Sequence, residues 1–516
     1  MTPPPPTAIR RRKLATDAIA NWIAFATQIA VAFVMAPVLL HGLGVNHYGW
    51  WCLIQSVVGY LALLDMGIGA AVVRFVAKFE STADDDQLNR IFCTSLFVFS
   101  LAGLTATVTA CLIAFMADTI FTVPPPLLPT IQVVLVLLGM NIGLELPLAV
   151  FGALLTGLQR YATLSVLRTS GGIVRAIALY LAIVNGGGLI ALASISLAAM
   201  LLERTMITIA ALRAYPKLRL SWSNITRDTW REISGYSVRA FTIQVCGRIS
   251  YHTDSIVIGL FLAPAYVSYF AVAAALTERS KSSIGVLTYV LRTAASRLEG
   301  LGDTERLRKL YIESTRYALY LVVPLEAGLI VIARPFLELW MGPDIAQQSY
   351  PTAVVLAIAV LPLLAQNPGI TMLYGVGNLN LLSRIRIIES ICNLVLSVIL
   401  VRPLGILGVA LGTTIPSVVA SLVLARYTMK LQQVRFREYF AHCLLKPFLG
   451  LPVLLGVWWV LLEAHPADSW IRLILVSLAG LSGYFAIAAI LEFGPRVLWG
   501  WGLFPRNEVA NRSSSP

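Results

Sequence analysis

Three cations, Arg175, Arg248 and Lys281, fall near the middle of long apolar stretches, far from any segment that reads as a loop. Around Arg248 the residues Gln244, Tyr251 and Ser255 recur at spacings that place all four side chains on one helical face. Lys281 has Glu278 and Arg279 beside it, with Thr277 and Thr288 on its own face. Arg168, Gly172 and Arg175 form another stripe, Asp17, Asn21 and Gln28 a third, and Arg386, Glu389, Asn393 and Ser397 a fourth. Two lone acids stand out as well: Asp65 in LLDMGIG, and Glu145 two residues before Pro147. An ionisable group in mid-bilayer costs roughly 2.5–3.5 kcal/mol, so each needs a partner, water or a ligand. The nearby acids are too few to pair every cation. Surplus positive charge suits an anion, and arginine's planar fork can hold two phosphate oxygens at once.

Plainer roles compete for the same residues. Arg168, Arg386 and Asp17 lie within reach of the cytoplasmic interface and read as snorkelling groups. Glu278 and Arg279 serve equally well as internal ion-pair members. Asp65 either binds a hydrogen-bonding neighbour at the bend of Gly67 and Gly69 or takes a coupling ion, and Asp254 reads as structural. The cavity candidates are Arg248, Arg175, Lys281, Arg279, Gln244 and Asn21; the ion-coupling candidates are Asp65, Glu278 and Glu145. No residue set suits covalent catalysis: the five histidines are scattered and the cysteines lack metal-ligand spacing, so neither a catalytic residue nor a metal site is expected.

The elements that must position these groups follow from composition. Of 516 residues 58% are hydrophobic and 13% charged, and the mean hydropathy is +0.78, which excludes a soluble protein. A bilayer core of about 30 Å needs roughly 20 apolar residues per helix. Fourteen such segments are expected, at about 15–40, 49–75, 91–116, 128–157, 161–184, 188–213, 235–261, 265–291, 310–333, 349–375, 379–401, 405–429, 441–462 and 470–493. Gly67, Gly69, Pro147 and Pro368 are expected helix breaks. The net charge of +13 is an orientation signal rather than a nucleic-acid footprint. Lys and Arg crowd the connections on one side and are sparse on the other, which puts both termini in the cytoplasm. The leading RRRK run precedes an apolar segment too long for a cleaved signal, so that segment reads as a retained first helix.

The chain also repeats itself. A shift of 219 residues brings Lys78 onto Arg297, Asp86 onto Glu305, Leu88 onto Leu307 and Ser95 onto Ser314. A shift of 218 brings Gly157 onto Gly375, Arg168 onto Arg386 and Gly187 onto Gly405. Six helices return the chain to its starting side, so the halves run in the same sense. The expected organisation is all-α: a disordered head (1–13), a six-helix bundle (14–213), a cytoplasmic linker (214–232), a second six-helix bundle (233–430), two additional spans (431–494) and a tail (495–516).

The run LLHGLGVNHYGWWCLIQSVVGYLALLDMGIGAAVVRFVAKF, residues 39 to 79, resembles the first hairpin of polysaccharide-transport flippases, in its LG loop, aromatic-rich start, LLDxGxG and basic end. GLFLAPAYVSYFAVA resembles its duplicated counterpart, and SRLEGLGDTERLRKLY the family's cytoplasmic loop. The resemblance implies a fold like that of multidrug exporters and lipid II flippases, with two six-helix bundles. It also implies transfer of polyprenyl-diphosphate-linked oligosaccharide across the cytoplasmic membrane; the deep cations, rather than any family motif, add the expectation of alternating access through a cationic central cavity. It implies no cofactor, coupling to H+ or Na+ in at least some members, and as partners the lipid-linked substrate, the bilayer and polysaccharide assembly proteins. Competing readings are a multidrug or cation exporter on the same fold and a membrane-embedded polysaccharide polymerase or glycosyltransferase. Short outer loops weigh against the last.

Overall fold

In a computed structural model the described residues are 6–65, 67–227, 229–231, 252–288, 290–376, 380–464 and 467–494, with side chains of the first helix described from Ile23 onward. Helices account for every element among them: α1 (Pro6–Leu43), α2 (Val45–Leu61), α3 (Ile68–Ser81), α4 (Asp85–Phe115), α5 (Leu128–Gly157), α6 (Tyr161–Val184), α7 (Leu189–Ala214), α8 (252–261), α9 (Pro264–Thr288), α10 (Val290–Gly300), α11 (Thr304–Val331), α12 (Ala333–Met341), α13 (Pro343–Ala365), α14 (Asn367–Gly375), α15 (Asn380–Leu431), α16 (Phe436–Ala464) and α17 (Trp470–Phe493), with short turns between. α15 is two helices joined at Gly405, whose φ of 59° and ψ of −137° only glycine adopts without strain. Counting it twice, α2–α3, α9–α10 and α13–α14 once each, and leaving out the nine-residue α12, the chain is an all-α membrane protein of about fourteen spans.

Of the four expected breaks, Gly67 and Pro368 fall at helix boundaries, whereas Gly69 and Pro147 lie inside helices. The expected span 49–75 is interrupted by a 3-10 turn over Ala62–Asp65 and by Gly67 in the left-handed region at φ 70°. The expected 349–375 breaks at Gln366, just before Pro368. Pro147 breaks nothing and lies inside α5. The proline has no N–H for the Gly143 carbonyl, but α4 closes over that oxygen: a Cβ placed on Gly103 would sit 2.1 Å from it. Such a contact, with Cα–H facing the carbonyl, braces the freed group where water is scarce. α1 begins at Pro6, where composition expects an unstructured head to residue 13.

Contacts divide the chain into two compact units, Met1–Ala271 with Ser397–Val409, and Val272–Leu396 with Ala410–Pro516. That division falls at Ala271 and not in the 214–232 linker, because α8 and the start of α9 pack on α2. The Tyr60 hydroxyl bonds the Thr253 hydroxyl, Ser268 Oγ donates to the Val45 carbonyl at 2.6 Å, and a Cβ on Gly49 would collide with the Pro264 carbonyl.

The first unit has its core where α3, α4, α5 and α7 meet, around Val76, Phe92, Phe151, Leu154 and Ile207. In the second, α11 packs Leu319, Tyr320 and Val323 against Trp458 of α16 and Tyr484 of α17. Apolar lipid gives helices no solvent-driven reason to associate, so close fit and small residues carry this packing.

The duplication appears inside each unit. Asp84 accepts the Gln87 N–H at 3.0 Å and caps α4; Asp303, 219 positions on, accepts the Arg306 N–H at 3.0 Å and caps α11. Ala83 and Gly302, one residue earlier, both have positive φ, 54° and 67°. Gly157 lets α5 close on Val76 of α3, as Gly375 lets α14 close on Ala295 of α10. Asn89 of α4 holds the linker through the Lys217 carbonyl and the Arg219 N–H, while Arg308, at the matching position of α11, grips Glu438 with two bonds of 2.7 and 2.6 Å.

Candidate functional site

LLDMGIG forms the break itself. The chain leaves α2, turns through the 3-10 segment ending at Asp65, and re-enters a helix at Ile68. Half-buried Asp65 accepts the Gly69 N–H at 3.4 Å, so its carboxylate occupies one of the orphan donors of the new helix.

A second group of charges assembles from three helices of the first unit. Glu145 of α5 and Arg204 of α7 form an ion pair, with Arg204's side chain only 11% exposed. Glu203 lies next to Arg204 in sequence, and a Cβ on Gly171 of α6 would touch its side chain at 2.9 Å, so α6 and α7 meet there. Arg168 of α6 lies in the field of Arg204, Glu203 and Glu145, and Arg175 in that of Glu203. The cluster thus holds three guanidinium groups and two carboxylates.

A third group lies in the second unit. Lys281 and Glu278, one turn apart on α9, pair at 2.7 Å. Between them Ser280 donates its hydroxyl to Glu326 Oε1 of α11. Glu326 is 1% exposed, and among the described residues its Oε2 has no hydrogen-bond partner.

The expected site residues therefore scatter. Gln244 and Arg248 lie outside the described residues, and Asn21 is placed only as a position in α1. Arg175 and Arg279 are exposed, each on a face of its helix that the unit leaves uncovered. Lys281 is engaged by Glu278, Glu145 by Arg204 and Asp65 by Gly69. Three charged residues escaped the sequence reading: Glu203 and Arg204, and Glu326, a lone acid in VVPLEAGLIVIA. Each was visible as an ionisable group inside an apolar run.

At the end of the second unit that carries Arg426 and Lys430, a cavity of about 710 Å³ opens among Leu361, Leu422, Met429, Phe436 and Phe448. Beyond the membrane-spanning helices, the Tyr215 hydroxyl donates to Asp85, whose second oxygen takes Lys217 Nζ at 2.7 Å. Burial, then this bond, raises the Tyr215 phenol above its ordinary pKa. Among the described residues no three His, Cys, Asp or Glu gather to hold a metal ion.

Residues 38–347, more than half of the chain, match the family described as polysaccharide biosynthesis protein. The chain belongs to that family. It is 23% identical over 482 residues to the uncharacterised membrane protein EpsK of Bacillus subtilis, covering 88% of this chain and 90% of that one. It is 21% identical over 227 residues to the probable low-salt glycan biosynthesis flippase Agl15 of Haloferax volcanii, covering 44% and 48%. Its fold matches that of the lipid II flippase MurJ in an inward closed conformation, with a TM-score of 0.74 over 93% of this chain and 99% of that one, at 15% identity. The member described here is a multi-pass membrane protein that shares its fold with MurJ.

Proposed function

We propose that the chain is a flippase that moves polyprenyl-diphosphate-linked oligosaccharide from the inner to the outer leaflet of the cytoplasmic membrane. The substrate's tail stays in lipid, whereas a dianionic head with many hydroxyls cannot cross hydrocarbon unaided. The observation that carries the reading is the surplus of one positive charge in the α5–α6–α7 cluster, with Arg175 on an uncovered face. A fixed guanidinium replaces the water that the diphosphate gives up, and does so bidentately. Arg248 and Lys281 contribute further cationic surface in this proposal, and Arg279, Gln244 and Asn21 further polar contacts. Alternating access then exposes that surface to each side in turn, and no covalent step is needed. The cytoplasmic position of both termini belongs to the same proposal.

Deleting the gene is expected to trap a lipid-linked oligosaccharide on the inner leaflet, detected by its inaccessibility to a periplasmic or external glycan probe. Complementation with Arg175→Ala, Arg248→Ala or Lys281→Ala is expected to leave it trapped although the protein reaches the membrane in normal amount. Full export by all three variants would overturn the assignment.

A further inference from the structure

We infer that Glu326 of α11 is a proton-binding site, with Ser280 as its hydrogen-bond donor and the Lys281–Glu278 pair as its counter-charge. The three ion-coupling candidates of the sequence, Asp65, Glu145 and Glu278, all have partners in the structure. Glu326 differs from them. Its side chain is 1% exposed, Oε1 takes the Ser280 hydroxyl, and Oε2 meets no donor among the described residues. An ionised carboxylate buried this way needs its charge balanced and both oxygens bonded, whereas the neutral acid forgoes one hydrogen bond at its bare oxygen, a far smaller cost than a buried charge. The geometry of one bonded and one bare oxygen is that of the acid form.

The surroundings favour a proton over a metal ion. Among the described residues Lys281 is the cation in the field of Glu326, and its ammonium is already held by Glu278 at 2.7 Å. Arg279, also on α9, is exposed. α13 offers no acid or base from Pro351 to Ala365, and its Tyr350 hydroxyl is committed to the Ile330 carbonyl at 2.8 Å. On α16 Lys446 pairs with Glu492 of α17, and the Tyr484 hydroxyl bonds the Pro447 carbonyl. A hard cation would need several oxygen ligands, and here one free oxygen stands near an ammonium.

The exchange balances simply. A proton arriving from water bonds to Oε2 and leaves Glu326 neutral, with Lys281 on Glu278. When that proton returns to water, the new carboxylate and Glu278 compete for the one ammonium, so Lys281 is drawn toward Glu326 and Glu278 is released. One proton thus repositions the lysine that the proposed function places on the cationic surface. This last step rests on the flippase reading; proton binding does not.

The test uses the full chain in lipid vesicles and infrared difference spectra between alkaline and acid pH. Wild type is expected to show a buried carboxylic C=O band that vanishes in Glu326→Gln and persists in Glu278→Gln and Glu145→Gln. A band unchanged in Glu326→Gln, or no such band in wild type, overturns the assignment. Should Glu326→Gln fail to fold, Ser280→Ala keeps the acid and removes its donor; it is expected to shift the band, and an unshifted band counts against the site. Replacing K+ by Na+ at fixed pH is expected to change nothing, and suppression of the band by Na+ would overturn the choice of proton. Loss of pH-gradient dependence in Glu326→Gln, with flipping itself retained, is the expected transport result. If the flippase reading alone is wrong, the band behaves as described and no lipid-linked glycan moves in either protein.

Discussion

Breaking the Glu145–Arg204 pair tests how the first unit holds its charges. Removing one partner of a fully buried ion pair costs about 3–5 kcal/mol, chiefly from the charge left behind. Here the side chains are 11% exposed for Arg204 and 35% for Glu145, and Arg168 still acts on Glu145 when Arg204 is gone. The expected loss for Arg204→Met is therefore smaller, about 2 kcal/mol, and for Glu145→Gln similar, since it strands a more deeply buried guanidinium. The double variant removes both charges and keeps most of the volume, so its loss is expected at about 1 kcal/mol. The coupling, about 3 kcal/mol, lies at the top of the range for residues in direct contact and corresponds to more than a hundredfold in the unfolding equilibrium. The assay is reversible SDS titration in bicelles, read by tryptophan fluorescence, on wild type, both singles and the double. If the double equals the sum of the singles within about 0.5 kcal/mol, the two groups do not work as a pair and the charge count of the cluster fails.

Two further expectations rest on the same packing. Gly143→Val places a side chain whose Cβ would be 2.0 Å from Thr107 Oγ1 and 2.7 Å from the Gly103 carbonyl, so α4 and α5 must separate. A loss of about 1–3 kcal/mol and a lower thermal midpoint in detergent are expected, whereas a neutral result would mean the helices do not cross there. Asp84→Ala and Asp303→Ala each remove one N-cap and are expected to cost about 1 kcal/mol apiece. They share no hydrogen-bond partner, so equal and additive losses in the same titration support the duplicated architecture, and a large loss from only one of them contradicts it.

The polar pairing explains why some features could be read early and others could not. α5 and α6 were expected at 128–157 and 161–184 and occur as Leu128–Gly157 and Tyr161–Val184. Their lengths are set by hydrocarbon thickness, and their ends by glycine and by the tight 158–160 turn. The duplication was legible because both copies must solve the same local problems: a left-handed turn, an aspartate cap and a close helix contact at Gly157 and Gly375. Pro147 was misread because a proline's effect in a membrane helix depends on what covers the freed carbonyl, and that cover is Gly103, distant in sequence.

The sequence by itself determined the solvent, the helices, the repeat and the family, since each is written in runs and short motifs that the chain carries locally. Only the tertiary structure decided which charge meets which. The partner of Glu145 is set by how α7 is turned against α5, and the isolation of Glu326 Oε2 by how α11 is turned against α9. A helix's rotation about its axis is fixed by all of its neighbours together, so spacing along one helix names the face a residue occupies and leaves its partner to the packed whole.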